Sequence, residues 1–371
     1  MYSIRPLQTQ DYGGLADFLA AQVGEGLDRE FWLERFNWWW EKNSAMRTDI
    51  VRGWVLEMPG GKISGFHGQV PLRYHFPGGE SMVYAGTTWY VDPSARGYGL
   101  GVLLAFIRQK EFLLQTTPAD NVGEIVRKMG FRALGQPWTG ADHIYPVIKS
   151  KAAAFFLLKG VALRLPWVAG MLSWPAAFFL QIVTGVKDKL NAARVQGYAF
   201  AEIKAFDARY DQLDKALAGR YAITAVRDAQ ALNWLIFGVP GVRSRRRVVE
   251  VTADGKLCGY AAVKLAKGVK ASREYYWLDV MDAVLVTEEA AAGQALLEGL
   301  KFLARSSREP VAFIKMAAFE PVIGGLLGRN GFIRKRASEG YFYRDRPGAE
   351  AVAENKSFYA TPLDGDRAFF P

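Results

Sequence analysis

The sequence predicts an α/β (α+β) protein: two mixed sheets flanked by helices and joined by an apolar helical connector. Three observations predict it. The first 148 residues alternate between strand-like and helix-like segments. Residues 165–186 carry no charged side chain and are interrupted by Pro166 and Pro175. The rest of the chain repeats features of the first part at an offset near 200. The expected organisation is an N-terminal domain at 1–148, a connector at 149–196, a second domain at 197–346 and a tail at 347–371. Half of the 371 residues are hydrophobic and 13% are aromatic, which suits large cores and argues against disorder for most of the chain.

The elements follow in order. Residues 4–7 read as a strand and 12–23 as a helix. Asp28 can cap a second helix over 29–41, which carries Phe31, Trp32, Phe36, Trp38, Trp39 and Trp40. Three consecutive tryptophans cannot share one helix face. Core packing is the expectation, with exposure of one ring to a cleft as the alternative. Strands at 53–58 and 62–76 flank Pro59-Gly60-Gly61, a hairpin signal, and a third strand at 82–91 follows Pro77-Gly78-Gly79. Leu100, Leu103, Leu104, Ile107 and Leu114 predict a helix over 100–115, and Val122, Ile125, Val126 and Met129 one over 121–129, ended by Gly130.

In the second half, Lys256-Leu257-Cys258-Gly259-Tyr260 echoes Lys62-Ile63-Ser64-Gly65-Phe66, and Trp234 echoes Trp40, both at an offset of 194. Asn330-Gly331-Phe332 echoes Met129-Gly130-Phe131 at 201. Duplication with short insertions is the expectation; the alternative is that such hairpins and helix exits are simply common.

The most informative stretch runs from Val91 through Asp92-Pro93-Ser94-Ala95-Arg96-Gly97-Tyr98-Gly99-Leu100-Gly101 to Val102. A strand ends, a turn follows, and glycines open an amphipathic helix. That order aims backbone N–H groups and the positive end of a helix dipole at one point, which suits a phosphate. Gly99 and Gly101 let an anion approach the backbone, and Arg96 adds a charge-assisted contact. Dinucleotide binding would want such a turn after the first strand of a βαβ unit, whereas here antiparallel hairpins precede it. No Walker-type Gly-Lys-Ser/Thr is present.

The Arg96-x-x-Gly99-x-Gly101 pattern after a strand resembles the pyrophosphate-binding signature of the Gcn5-related N-acetyltransferase (GNAT) superfamily. The order of elements over about residues 1–135 resembles that family too. The resemblance implies an acyl-CoA-dependent N-acyltransferase, with acetyl-CoA or another acyl-CoA as co-substrate. Arg96, Gly97, Tyr98, Gly99, Leu100, Gly101 and Val102 would contact the pyrophosphate, and Trp89, Tyr90 and Val91 would line the pantetheine arm. Asn121 stands where many members place an asparagine that touches acyl-CoA. The second half departs from the pattern: its matching stretch, from Val286 to Ala295, lacks the arginine and paired glycines and carries Glu288 and Glu289. A degenerate copy that completes the acceptor cleft is the expectation there.

Acyl transfer to an amine needs a neutral amine, a polarised thioester carbonyl and a proton for the thiolate. Many GNAT enzymes carry a tyrosine acid five residues before the Phe of the Gly-Phe pair. Val126 and Leu327 stand there, and neither donates a proton. Candidate catalytic groups are His67 as base, with a buried structural histidine as the alternative, Thr88 beside Thr87 as water-orienting hydroxyls, and Asp279 near Asp282 as groups meeting the acceptor. An amino sugar of an envelope or exopolysaccharide precursor is the expected acceptor. A non-catalytic acyl-CoA-binding or membrane-surface assembly module is the alternative.

The net charge of +10 favours polyanions, but the Arg243, Arg245, Arg246 and Arg247 cluster lacks a nucleic-acid reader motif. One cysteine, Cys258, excludes an internal disulfide and suits a reducing compartment. Three histidines with that cysteine argue against a His/Cys metal site. No signal-peptide run opens the chain. The expected location is cytoplasmic, with peripheral contact at the inner membrane through 149–190, where lysines and arginines flank the apolar run.

Overall fold

The computed structural model describes residues 2–22, 27–116, 120–133, 141–147, 171, 175, 178, 195, 197–241, 245–270, 273–336, 341–344 and 358–369; of these, the side chains of 120, 121, 270, 273, 336, 341, 342, 366 and 367 are not described. The connector therefore lies outside the described residues, apart from the helical Met171, Pro175 and Phe178 and the non-helical Val195.

In chain order the strands are β1 (Ser3–Pro6), β2 (Gly53–Glu57), β3 (Ile63–Phe76), β4 (Gly79–Val91), β5 (Phe112–Thr116), β6 (Arg132–Ala133), β7 (Ala141–Pro146), β8 (Tyr198–Ile203), β9 (Ile223–Ala225), β10 (Arg246–Ala253), β11 (Lys256–Lys270), β12 (Arg273–Leu285), β13 (Val311–Ala317), β14 (Ile333–Arg336), β15 (Tyr341–Arg344) and β16 (Phe358–Tyr359). The helices are α1 (Tyr12–Gln22), α2 (Arg29–Phe36), α3 (Gly99–Ile107), α4 (Asp120–Lys128), α5 (Arg209–Arg220), α6 (Ala229–Leu232), α7 (Ala290–Arg305), α8 (Pro321–Leu327) and α9 (Asp366–Phe369).

Two mixed sheets flanked by helices result, as the sequence predicts. One has the order β1-β2-β3-β4-β5-β15-β6, with β9 on β3 and β16 on β9; the other has β8-β10-β11-β12-β13-β7-β14. The paths match position for position: each has a parallel pair in its middle, β4 with β5 and β12 with β13, among antiparallel neighbours.

The compact units are not contiguous in sequence. Unit one comprises Met1–Gln136, Asp214–Arg243 and Ser338–Pro371, and unit two comprises Pro137–Leu213 and Ser244–Ala337. The expected boundaries at 148, 196 and 346 therefore differ from those of the units. β7 pairs with β13 and β14, while β15 lies between β5 and β6. Strand partners are chosen by which edges lie open, and no local pattern records that.

A second difference concerns the helix predicted over 100–115. It stops at Ile107, and Phe112–Thr116 is strand β5. All five strand residues are buried, so Leu114 belongs to a strand covered on both faces rather than to a helical stripe.

In unit one, Asp28 caps α2 by accepting from the Phe31 N–H at 2.8 Å. Past Phe36 the helix widens into a five-residue π-turn, Asn37–Glu41, which buries Trp38, Trp39 and Trp40 together. The π-turn spaces the three rings differently from an α-helix, so the expected core packing holds for all of them. Unit one has a second π-turn, Asn233–Phe237. The two match at an offset of 196, which aligns Trp234 with Trp38 instead of Trp40. Each of these indoles donates to the other's backbone carbonyl, at 3.0 and 2.9 Å. The end of the chain is pinned in the same unit. Arg227 and Asp364, both 1% exposed, pair at 3.0 Å. Arg227 also donates to the Thr361 hydroxyl at 3.2 Å and lies over the Tyr359 ring.

Candidate functional site

The site is built where β4 leaves β5. The two strands pair only over Val83–Ala85 with Phe112–Leu114. Beyond Ala85 the β5 side of β4 has no strand partner among the described residues, while its other edge stays on β3 up to Val91. Thr88 sits at the irregularity in that ladder with φ of 49°, in the left-handed region, so the strand bulges and turns there.

A cleft of about 850 Å³ opens beside this edge, lined by Trp89, Tyr90 and Val91 of β4, Arg96, Gly99 and Leu100 of the turn and α3, and Val122, Ile125, Lys128 and Met129 of α4. Six of the residues foreseen as cofactor contacts thus share one cleft. The Tyr90 side chain is turned to α1, where its hydroxyl donates to Gln22 at 3.0 Å, so its main chain is what it offers to a ligand along the strand edge. Lys128 and the apolar α4 residues line the cleft without a sequence motif that marks them as site residues. Val122, Ile125 and Met129 belong to the apolar face that predicts α4, and that face lines part of the cleft. Gly97, Tyr98, Gly101 and Val102 lie on the same turn and first helical turn but do not line the cleft. The Asn121 side chain lies outside the described residues.

Of the three glycines in the turn, only Gly101 is required by a close approach. A Cβ on Gly101 would lie 2.7 Å from Ile4 Cδ1, so this glycine admits β1 rather than an anion. A Cβ on Gly99 would touch Val91 at 3.4 Å, while one on Gly97 would meet nothing within 4 Å. Residues 93–98 form a 3₁₀ turn capped by Asp92, whose carboxylate accepts from the Ser94 N–H at 2.8 Å. Hydrogen bonds from Ser94 hold the Asp92 carboxyl below the usual carboxylate range. α3 continues directly from this turn, the Gly99 N–H donating to the Arg96 carbonyl, and Arg96, Gly99 and Leu100 bring the helix start and a cation to the cleft.

Beneath the cleft, α3 and α4 pack a core of Trp54, Leu56, Tyr84, Val102, Phe106, Leu113, Val126 and Phe131. Val126, at the position of the missing acid, is fully buried and holds the helix exit: its carbonyl accepts from the Phe131 N–H at 3.1 Å, with Gly130 at φ of 88°. Leu327, Phe332 and Gly331 (φ of 82°) repeat this exit in unit two.

His67 is completely buried, stacked on Phe106 with ring centroids 4.6 Å apart. Burial pushes its pKa down to about 3, so it is neutral at pH 7 and a weak base. The backbone hydrogen bonds of its ring with His67 and Gly68 oppose that shift only in part. These facts favour the structural alternative over the general base. The Thr88 and Thr87 hydroxyls lie 3.3 Å apart.

Asp279 belongs to unit two. It is buried in a row with Lys264 and Lys315 on neighbouring strands, with Lys315 Nζ at 3.9 Å. In unit two the helices that match α3 and α4 are joined: Gln294 of α7 and Asn330 after α8 exchange hydrogen bonds of 2.7 and 2.8 Å. A Cβ on Gly293 would lie 2.9 Å from Leu326. Among the described residues, no cluster of three or more His, Cys, Asp or Glu side chains could hold a metal ion, and no helix is long and apolar enough to cross a membrane.

The mixed sheet opens between its fourth and fifth strands, with the start of α3 at the opening. Solved GNAT structures share this fold. The chain is similar to a GCN5-related N-acetyltransferase of Anabaena variabilis at TM-score 0.54 and 11% identity, covering 93% of this chain and 72% of the other. A probable N-acyltransferase of Enterococcus faecalis matches at TM-score 0.55 and 12% identity over the same shares. Saccharomyces cerevisiae N-myristoyltransferase with bound myristoyl-CoA matches at TM-score 0.52 and 11% identity, covering 98% of this chain and 86% of that one. No protein-family profile matches the sequence, and no curated protein matches it.

Proposed function

We propose that the protein is an acyl-CoA-dependent N-acyltransferase that moves an acyl group from the thioester to an amine, with an amino sugar of an envelope or exopolysaccharide precursor as the acceptor class. The observation that carries this is the cleft where β4 leaves β5, with a strand edge unpaired among the described residues, the start of α3, and Arg96 and Lys128 in its lining. The strand edge suits the amides of a pantetheine arm, and the helix start and cations suit a pyrophosphate. In the reaction, the amine nitrogen attacks the thioester carbonyl carbon, the C–S bond breaks, and the proton lost by nitrogen goes to the departing thiolate. Holding the two reactants together supplies much of the rate.

The matching strand order and helix exits support an origin of the two units by duplication. The joined helices of unit two, with Glu288 and Glu289 at the helix start, support a copy that does not bind CoA. The ion-paired row around Asp279 supports a structural rather than a catalytic role for that residue. A second reading, acyl-CoA binding without transfer, is favoured by the buried Val126 at the acid position.

Calorimetry with acetyl-CoA, comparing the native chain with Gly99→Glu, tests the site. Binding lost in the variant supports the anion cradle; no binding of any acyl-CoA by the native chain overturns it. Release of free CoA that depends on an added amine then separates transfer from binding.

A further inference from the structure

Resting on the acyl-CoA reading, we infer that the Gln115 side chain is the end wall of the acyl site and restricts the acyl group to acetyl or propionyl size. β4 and β5 part after Ala85 and Leu114, so Gly86 and Gln115 are the first residues of the fork. The start of α3 and Arg96 lie toward the other end of this edge, where Gly99 approaches Val91. A pyrophosphate held there would send its pantetheine arm along β4 toward the fork. From pyrophosphate to sulfur that arm has about a dozen bonds, equivalent to about four residues of extended chain, or about 14 Å. The same length of β4 runs from Val91 back to Thr87. The thioester therefore arrives level with Thr87 and Thr88, and the acyl group points at Gly86 and Gln115.

That end is packed shut. A Cβ on Gly86 would overlap the carboxamide oxygen of Gln115, so the Gln115 side chain lies directly on β4 backbone that glycine leaves bare. Gln115 is 5% exposed. The same Cβ would lie 3.1 Å from His67 Cε1, and His67 is itself enclosed against Phe106. On the β5 side, a Cβ on Gly365 would overlap the Thr116 side chain, so the space past Gln115 is filled as well. On β4 the lining of the cleft accordingly stops at Trp89, short of the fork. A methyl or ethyl group ends before this wall. Each further methylene would have to displace a buried side chain, and overpacking of that kind is costly. The Gln115 main chain pairs with Phe342 of β15 whatever its side chain, so shortening that side chain opens the fork without removing a strand contact.

The test compares calorimetric binding of CoA, acetyl-CoA and hexanoyl-CoA to the native chain, Gln115→Ala and Gln115→Asn. We expect the native chain to bind acetyl-CoA about tenfold tighter than hexanoyl-CoA, or more. Gln115→Ala removes about four non-hydrogen atoms, room for about as many added carbons, so the preference should fall toward one there. It should fall part of the way in Gln115→Asn, which keeps a buried amide should the alanine variant not fold. Hexanoyl-CoA bound as tightly as acetyl-CoA by the native chain would overturn the wall and leave the acyl-CoA reading standing. A preference unchanged in a folded variant would show that chain length is set elsewhere and overturn the role of Gln115. No binding of CoA or of either thioester would remove the acyl-CoA reading and this inference with it.

Discussion

Two buried residues show how burial sets the chemistry of a side chain. His67 is enclosed against Phe106, and its pKa falls from 6.5 to about 3. Between those values the unfolded chain binds a proton that the folded chain does not. Stability from this residue is therefore complete above pH 6.5 and is lost progressively as pH falls toward 3, with each unit worth about 1.4 kcal/mol. Denaturant titrations at several pH values should show this slope in the native chain and a shallower one in His67→Leu. Arg35 is the opposite case: a guanidinium with no exposure and no hydrogen-bond partner on any nitrogen, held over the rings of Phe31 and Trp38 at 4.6 and 5.5 Å. Burial lowers its pKa to about 10. Its charge is thus a cost at neutral pH, relieved only as pH rises through that value. Arg35→Met should raise the melting temperature at pH 7, by ~1 kcal/mol or more in stability; a lower melting temperature would show that the contacts with Phe31 and Trp38 outweigh the desolvation.

At the scale of elements, the final segment depends on one buried pair. Arg227 and Asp364 are both enclosed, and Arg227 also bonds Thr361. Removing one partner of such a pair leaves a buried charge without its counterion, at a cost of about 3–5 kcal/mol. Arg227→Met should therefore loosen Phe358–Phe369 and make it a site of limited proteolysis. A variant with native stability and unchanged protease resistance would show that β16 and the aromatic contacts of Phe369 suffice. The helix predicted over 100–115 gives the complementary lesson. Its first half was legible because Leu100, Leu103, Leu104 and Ile107 share a period, and the turn before it was legible through Pro93 and its glycines. Leu114 joined the same period by coincidence. Only pairing of Phe112–Leu114 with β4 revealed a strand there, and that pairing also creates the opening on which the candidate site rests.

For the molecule as a whole, the non-contiguous units make a prediction about truncation. The sheet of unit one contains β15 between β5 and β6, and β9 on the edge of β3. A chain cut to residues 1–148 would lack both strands and leave the edge of β5 open, an invitation to aggregation. We expect that fragment to be insoluble or molten by circular dichroism, and co-expression with residues 197–371 to restore a folded species. A soluble, cooperatively melting fragment would show that the local order of elements is enough.

The sequence by itself determined the class of the fold, most element positions, and the turn from Asp92 to Gly101. Each rests on a local periodicity or on a backbone constraint of Pro and Gly that a short window of residues contains. Six residues named from the strand end and the turn share one cleft for the same reason. Tertiary structure alone decided which strands pair, that Gly101 makes room for Ile4, that His67 is enclosed, and that α4 brings Lys128 to the cleft. Those outcomes depend on partners far away in the chain, and a residue's neighbours in sequence carry no record of the side chains that will surround it.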